Sequence, residues 1–458
     1  VSGGSFGIVG GGISGLTAAY RLRTVLGDEA RIVLFDPAER LGGVLRTAEV
    51  AGQPMDVGAE AFVRRRPEVP ALLAELGLDD RIRDTTGVRP LVYSQARLHP
   101  MPTGTLNGIP ASGQVLDGLV DAATLARIDT EPGRALRWRR GADPTVAELV
   151  GERFGEQVVA RSVDPLLAGV YAGSARTIGL RAAAPGVAAA LDDGAPSLLA
   201  AVRSALPAPT GAPIFGALAG GYRVLIEELA RRARPQWVRA AVARLRRADP
   251  GGWELTATAG TARRVDAVIV AVPPHQQAVL LGEVAPRAAA LAARIPTASS
   301  AVVALALPAG TALPDHSGVL VASGERLHAK AITLSSRKWG RDPAGAELLR
   351  VSFGRFGDDG RSVAATDDEL VARARADLAT VLGVDAAPLD AAVARFAEAM
   401  PQYGPGHGDL IAELRADLPA TLAVAGSFLD GIGVPACIAA GTAAAARVLG
   451  APAPTVAR

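Results

Sequence analysis

Gly10, Gly12 and Gly15 stand directly after the apolar run Phe6-Gly7-Ile8-Val9, and a second apolar run, Ile32-Val33-Leu34-Phe35, ends on Asp36. Residues of these types at this spacing can hold a dinucleotide. Gly10 permits a tight turn, Gly12 lets the backbone approach a pyrophosphate, and Gly15 lets a helix pack closely on a strand. Gly11, Ile13, Ser14 and Leu16 complete the loop and first helical turn, whose N–H groups and macrodipole favour an anion. Asp36, about 20 residues beyond the glycines, is placed to accept hydrogen bonds from a ribose. In a chain with 52 glycines the spacing alone is weak, and the flanking strands and the acid give it meaning.

These groups require a strand, a glycine turn, a helix and a second strand. The unit ends near Arg64-Arg65-Arg66-Pro67, and a helical pattern follows over 68–78. Residues 100–204, rich in Ala, Leu and Arg, read as mostly helical, with Asp143-Pro144-Thr145 as one helix start. Strands are expected over 238–245, 253–258 and 265–272. The last is a continuous apolar run closed by Pro273-Pro274, as a buried strand of a parallel sheet reads. Further strands follow over 300–307, 318–321, 329–334 and 348–353, then a helix over 367–382. Residues 425–449 read as strand, glycine-rich loop and Ala-rich helix, and Ala451-Pro452-Ala453-Pro454 as a loose terminus. The expected fold class is α/β, with a discontinuous Rossmann-like dinucleotide domain (1–66, 205–272 and 402–458). A mixed-sheet substrate domain (67–99 and 273–401) and a mostly helical insertion domain (100–204) complete it.

Composition narrows the function classes. At 458 residues the chain exceeds one simple core. A formal net charge of +2 and 4% aromatic residues give neither the basic field nor the stacking platforms of a nucleic-acid binder. The single Cys437 excludes an internal disulfide and a cysteine-based metal site. His99, His275, His316, His328 and His407 form no HxxxH pair, so no metal is expected. No apolar run approaches a membrane span, although peripheral membrane contact stays open. The glycine loop begins too early to leave room for a signal peptide, and the start at Val1 suggests a few absent leading residues. The expected location is cytoplasmic.

The residues after Asp36 decide which dinucleotide is held. Pro37, Arg40-Leu41-Gly42-Gly43, Arg46-Thr47 and Asp56-Val57-Gly58-Ala59-Glu60 follow in order. This run resembles flavoproteins of the amine oxidase and porphyrinogen oxidase superfamily. There the double glycine passes close to the flavin because no Cβ intrudes, and the segment around Gly58 lies near the isoalloxazine end. Four further stretches resemble the porphyrinogen oxidases in particular. They are Leu98-His99-Pro100-Met101-Pro102-Thr103-Gly104 with Gly108-Ile109-Pro110, the run from Arg161-Ser162-Val163-Asp164 through Tyr171-Ala172-Gly173, Met400-Pro401-Gln402-Tyr403-Gly404-Pro405-Gly406-His407, and Ala425-Gly426-Ser427 with Gly431-Ile432-Gly433-Val434.

The resemblance implies non-covalent FAD, with Ile432, Gly433 and Val434 beside the flavin, Val242 against the adenine and Phe396 where many relatives carry tryptophan. It also implies a porphyrinogen substrate bearing propionates, six electrons removed in three rounds through flavin N5, and dioxygen reduced to hydrogen peroxide. No side chain is assigned as catalytic acid or base, since the pyrrole nitrogens can shed their own protons. Arg89 is the leading partner for a propionate, with Arg64 and Lys338 as other basic candidates and Tyr171 as a cavity-lining one. His99, His407 and Cys437 read as structural. Coproporphyrinogen III is favoured as substrate over protoporphyrinogen IX. A flavin amine oxidase and a non-catalytic flavin-fold binding protein are the more remote readings. Transient contact with a ferrochelatase follows from pathway logic alone.

Overall fold

The computed structural model describes residues 3–208, 211–340, 345–358 and 360–450; residues 451–454, expected to be a loose terminus, lie outside them. A five-stranded parallel sheet forms the first layer, in the order Gln236–Val238, Arg31–Phe35, Ser5–Val9, Ala267–Val270, Leu422–Val424. Its strands are apolar on both faces: Ile8, Val33, Leu34, Val268 and Val270 are fully buried, as a sheet covered on both sides requires. Register pairs Ile8 with Leu34 on one side and Ile269 on the other. The sheet thus assembles strands from three distant stretches, and Ala262–Val265 joins Val242–Arg247 and Trp253–Ala257 in an antiparallel meander beside it.

Helix Ile13–Leu26 packs along the C-terminal helix Val434–Val448. The crossing is close because Gly441 has no side chain: a Cβ there would stand 2.3 Å from the Ser14 carbonyl oxygen. Packing of these two helices brings the glycine loop and the residues before Val434 to one place.

The second layer is a seven-stranded mixed sheet, in the order Asp390–Pro401, Thr297–Leu307, Glu347–Phe353, Ala329–Thr333, Gly318–Val321, Leu91–Ser94, Arg97–Pro100. Only the Gly318–Val321 and Leu91–Ser94 pair within it is parallel. Helix Asp367–Leu382, started by a Thr366/Glu369 capping box, covers one face through Leu370, Ala374 and Leu378. The hairpin Thr47–Val50/Gln53–Asp56 buries Val50 and Met55 against Ala304, Ala306 and Leu348 on the other. Residues 100–204 form a third body of short helices with one small hairpin, Thr105–Leu106/Ile109–Pro110. Asp143-Pro144-Thr145 does begin a helix, Val146–Phe154, through a capping box between Thr145 and Glu148.

Three expectations change. The strand expected over 238–245 is two: Val238 ends a strand of the parallel sheet and Val242 begins the meander, with a turn at Arg239, Ala240 and Ala241. The run over 265–272 breaks at Asp266, whose carboxylate accepts hydrogen bonds from the Ser5 N–H and hydroxyl at 2.7 and 2.8 Å. Residues 67–99 and 273–401 are expected to belong with the mixed sheet, yet helices Glu68–Leu76, Pro274–Leu281 and Pro286–Ala293, the last two not anticipated, bury Leu72, Leu73, Leu280, Leu281 and Ala288 in the core of the parallel sheet.

Candidate flavin and substrate site

A cavity of about 540 Å³ opens at the C-terminal end of the parallel sheet, where ligands of open α/β sheets bind. It gathers Gly10, Gly12, Ile13, Ser14, Asp36, Pro37, Gly42, Gly43 and Val242 from four stretches of chain. Gly12 caps the helix Ile13–Leu26, and a Cβ on it would meet no protein atom within 4 Å. That empty space, faced by the first N–H groups of a 14-residue helix with no acid in its first turn, suits a pyrophosphate. Asp36 spends one carboxylate oxygen on the Gly11 N–H (2.6 Å) and the other on the Ala38 N–H (2.9 Å). Lone pairs remain on both oxygens for a ribose. The cavity therefore fits a dinucleotide.

Other predicted residues act from behind the cavity wall. Leu16 is fully buried and Gly15 faces the Gly10 carbonyl, so both shape the turn. Arg40 donates to the carbonyls of Leu41 (3.0 Å), Leu45 (2.9 Å) and Gly43 (2.8 Å), tying the double-glycine turn into one conformation. Burial, and to a lesser extent Arg46, lower its pKa. Gly433 is the N-cap of Val434–Val448, with Ile432 immediately before it. Phe396 is half-buried on the outer strand of the seven-stranded sheet, paired with Ser300.

Gly58, Ala59 and Glu60 lie where the two sheets meet. A Cβ on Gly58 would be 1.8 Å from the Val44 carbonyl oxygen, so glycine is obligatory there. Arg350 donates to the Gly58 carbonyl at 2.5 Å. Glu60 is ion-paired with Lys338 (2.8 Å) and Arg350 (3.6 Å) and accepts from the Ser335 hydroxyl (2.9 Å). Burial opposes its ionisation, but the two cations prevail and hold its pKa at about 2. Because this pKa is depressed, the stabilisation is complete above the ordinary 4.5 and is lost as pH falls through 4.5 toward 2. Between about pH 5 and about pH 3 the wild type should lose more thermal stability than Glu60→Gln; equal losses would show that the cluster does not stabilise the fold.

Among the substrate candidates, Arg89 is exposed, and its carbonyl accepts from the Ser317 N–H at 3.1 Å while its guanidinium has no partner among the described residues. Arg64 is paired with Asp84 at 3.0 Å, and the Lys338 ammonium is held by Glu60, so neither is a free cation. Tyr171 ends helix Asp164–Tyr171, its hydroxyl 3.3 Å from the Ala182 carbonyl and its ring 5.7 Å from that of Tyr403. His99 bonds the Ser94 carbonyl (3.1 Å) and His407 the Phe428 carbonyl (2.8 Å). Cys437 is buried at the cavity wall, and burial pushes its thiol up to about 11.

Two groups escaped the sequence reading. Arg350 is a lone cation inside the apolar strand Glu347–Phe353, which was its one available signal. Tyr403 stacks on His407 at 4.0 Å, donates its hydroxyl hydrogen to the Ser427 carbonyl and accepts the Gly431 N–H at 3.0 Å. It thereby clamps the loop that leads into Ile432, Gly433 and Val434. Tyr403→Phe orphans both backbone groups, at a cost of about 1–3 kcal/mol. Affinity for the dinucleotide that the cavity fits, measured with FAD as the probe by flavin fluorescence, should weaken about tenfold; unchanged affinity would remove Tyr403 from this role.

Comparison with known proteins adds four findings. Residues 13–449 match the family model for flavin containing amine oxidoreductase. The chain is 63% identical over 445 residues to a protein of Mycobacterium bovis named coproporphyrinogen III oxidase, covering 97% of each chain. It is 30% identical over 480 residues to human protoporphyrinogen oxidase, covering 97% of this chain and 98% of the other. A crystal structure from Exiguobacterium sp. 255-15 superposes with a TM-score of 0.85 and 27% identity, covering 96% of this chain and 97% of the other.

Proposed function

The chain belongs to the flavin containing amine oxidoreductase family, and on that premise we propose that it oxidises coproporphyrinogen III to coproporphyrin III in haem synthesis. The observation that carries this reading is 63% identity, without large gaps in coverage, to a relative named for that reaction. The cofactor is non-covalent FAD, held in the cavity built from the glycine loop, Asp36 and Val242. FAD supplies two-electron acceptance, so six electrons require three rounds, with three dioxygen molecules reduced to three hydrogen peroxide molecules. The protein orients substrate and cofactor rather than supplying an acid or base. By the resemblance, Gly58, Ala59, Ile432, Gly433 and Val434 would border the flavin ring, with Phe396, on the strand Asp390–Pro401, near them.

Arg89 receives a substrate propionate. It is exposed and, among the described residues, without a carboxylate partner, as a receptor for an incoming anion must be. Arg89→Ala should lower kcat/KM by the equivalent of about 1.5–3 kcal/mol, and unchanged kinetics would exclude it from the site. The reading as a whole is tested by the absorption spectrum of the purified protein and by titration with coproporphyrin III. A flavin spectrum perturbed saturably by the porphyrin supports it. Peroxide release with amines but no porphyrin response would favour an amine oxidase, and a colourless protein a non-catalytic role.

A further inference from the structure

The order of the parallel sheet places a topological switch point between Ser5–Val9 and Ala267–Val270. The chain leaving Val9 returns as Arg31–Phe35 on one side, and the chain leaving Val270 returns as Leu422–Val424 on the other. The two departing loops part, and the crevice between them is where an open α/β sheet takes its ligand. One wall of the crevice is the glycine turn. The other is the segment from Ala271 to Gln276, every residue of which lines the same cavity. The walls are close: a Cβ on Gly10 would stand 2.4 Å from the Ala271 carbonyl oxygen and 3.2 Å from Val272 Cγ1.

Helix Ile13–Leu26 starts from the first wall and helix Pro274–Leu281 from the second, and neither carries an acid in its first turn. Such a crevice favours an anion. A dinucleotide brings a pyrophosphate dianion into it, yet among the described residues lining the cavity there is no lysine or arginine. Arg40 lies behind the wall, its guanidinium spent on the Leu41, Leu45 and Gly43 carbonyls. His275 is the one described lining side chain that can carry positive charge. Its imidazole is not engaged elsewhere. Nδ1 is buried without a hydrogen-bond partner among the described residues. Nε2 is 3.9 Å from the Glu398 carboxylate, beyond hydrogen-bond length. With 40% of the side chain exposed, the ring is open to an incoming group.

We propose that His275 is a cofactor-binding residue: its Nε2–H donates to the pyrophosphate from the wall opposite the glycine turn. The inference rests on the FAD reading above. The glycine turn supplies backbone N–H groups and a helix dipole, and His275 supplies a side-chain donor from the far side. A hydrogen bond to a phosphate oxygen is charge-assisted and about twice as strong as a neutral one. The anion is then held between two walls that belong to different stretches of the chain.

The test is the equilibrium dissociation of FAD from the loaded protein, read by flavin fluorescence at one pH and one salt concentration, with ADP as competitor. His275→Ala should weaken FAD about tenfold, and ADP, which carries the pyrophosphate without the flavin, by the same factor. His275→Lys keeps a cation in the wall and should recover most of that loss. His275→Glu places an anion there and should weaken both ligands further than His275→Ala does. A residue acting through packing alone would show no such order of charge, and where one variant does not fold the other two still rank by charge. Equal affinities in wild type and His275→Ala, a loss for FAD without one for ADP, or affinities that do not follow charge across the series overturn the proposal. Wild-type protein that binds no FAD overturns the reading it rests on as well.

Discussion

Gly15→Val should yield a chain that cannot retain FAD. A Cβ at residue 15 would stand 2.0 Å from the Gly10 carbonyl oxygen, a backbone atom in the turn itself. Gly10 cannot yield. Its φ is +106°, and on its other side the Ala271 carbonyl lies 2.4 Å from where a Cβ would sit. Overpacking of this kind costs about 1–3 kcal/mol even in adaptable cores, and this turn is not adaptable. The loop must open, displacing the helix N-terminus that would face the pyrophosphate of the proposed cofactor. FAD per chain, read from the visible spectrum after gel filtration, should fall about tenfold or more. Gly12→Ala separates binding from folding. Its Cβ meets no protein atom, so thermal stability should be kept while FAD affinity falls. Full FAD occupancy in either variant would contradict the assignment of this turn.

Glu131→Ala should produce the largest loss of stability, about 3–5 kcal/mol. Glu131 and Arg153 lie in the helical body at 0% and 2% side-chain exposure, 2.5 Å apart. Glu131 also accepts the Leu198 and Leu199 N–H groups, at 3.0 and 3.2 Å, and so caps helix Leu198–Ala205. Arg153 donates to the Arg134 and Ala135 carbonyls at 2.8 and 2.9 Å. Removing the carboxylate leaves a buried guanidinium without its counter-ion and the Leu198 and Leu199 N–H groups without an acceptor, although Ser197 still caps the helix through the Ala200 N–H. The urea midpoint should fall markedly, whereas Arg176→Ala, which breaks an exposed pair with Glu156, should shift it by at most about 1 kcal/mol. Equal midpoints for the two variants would contradict this picture.

Much of the cofactor half was legible because its constraints are local. The turn at Gly10, the helix behind it and the acid at residue 36 are fixed by neighbours in sequence, and helix Asp367–Leu382 announced itself through Thr366 and Glu369. Strand Asp390–Pro401 was not seen, because its Ala-rich stretch carries little strand preference and it is held by pairing with distant residues 297–307. Helices Pro274–Leu281 and Pro286–Ala293 were missed for a related reason: only tertiary packing shows which core receives their apolar faces. In the site, Lys338 read as a basic residue in search of an anion. Its anion was Glu60, 278 residues away, and no spacing rule connects them. Arg350 showed only as one cation in an apolar strand, while its partners Gly58 and Glu60 lie nearly 300 residues away; Tyr403 acts through the Ser427 carbonyl and the Gly431 N–H, which leave no imprint on the pattern of side chains.

The central claim is most directly tested by steady-state oxidation of coproporphyrinogen III and protoporphyrinogen IX by the FAD-loaded enzyme, with porphyrin formation and dioxygen uptake followed together. The predicted result is a higher kcat/KM for coproporphyrinogen III, with three dioxygen molecules consumed for each coproporphyrin formed. A higher kcat/KM for protoporphyrinogen IX, or no dioxygen-dependent oxidation of either compound, would contradict it.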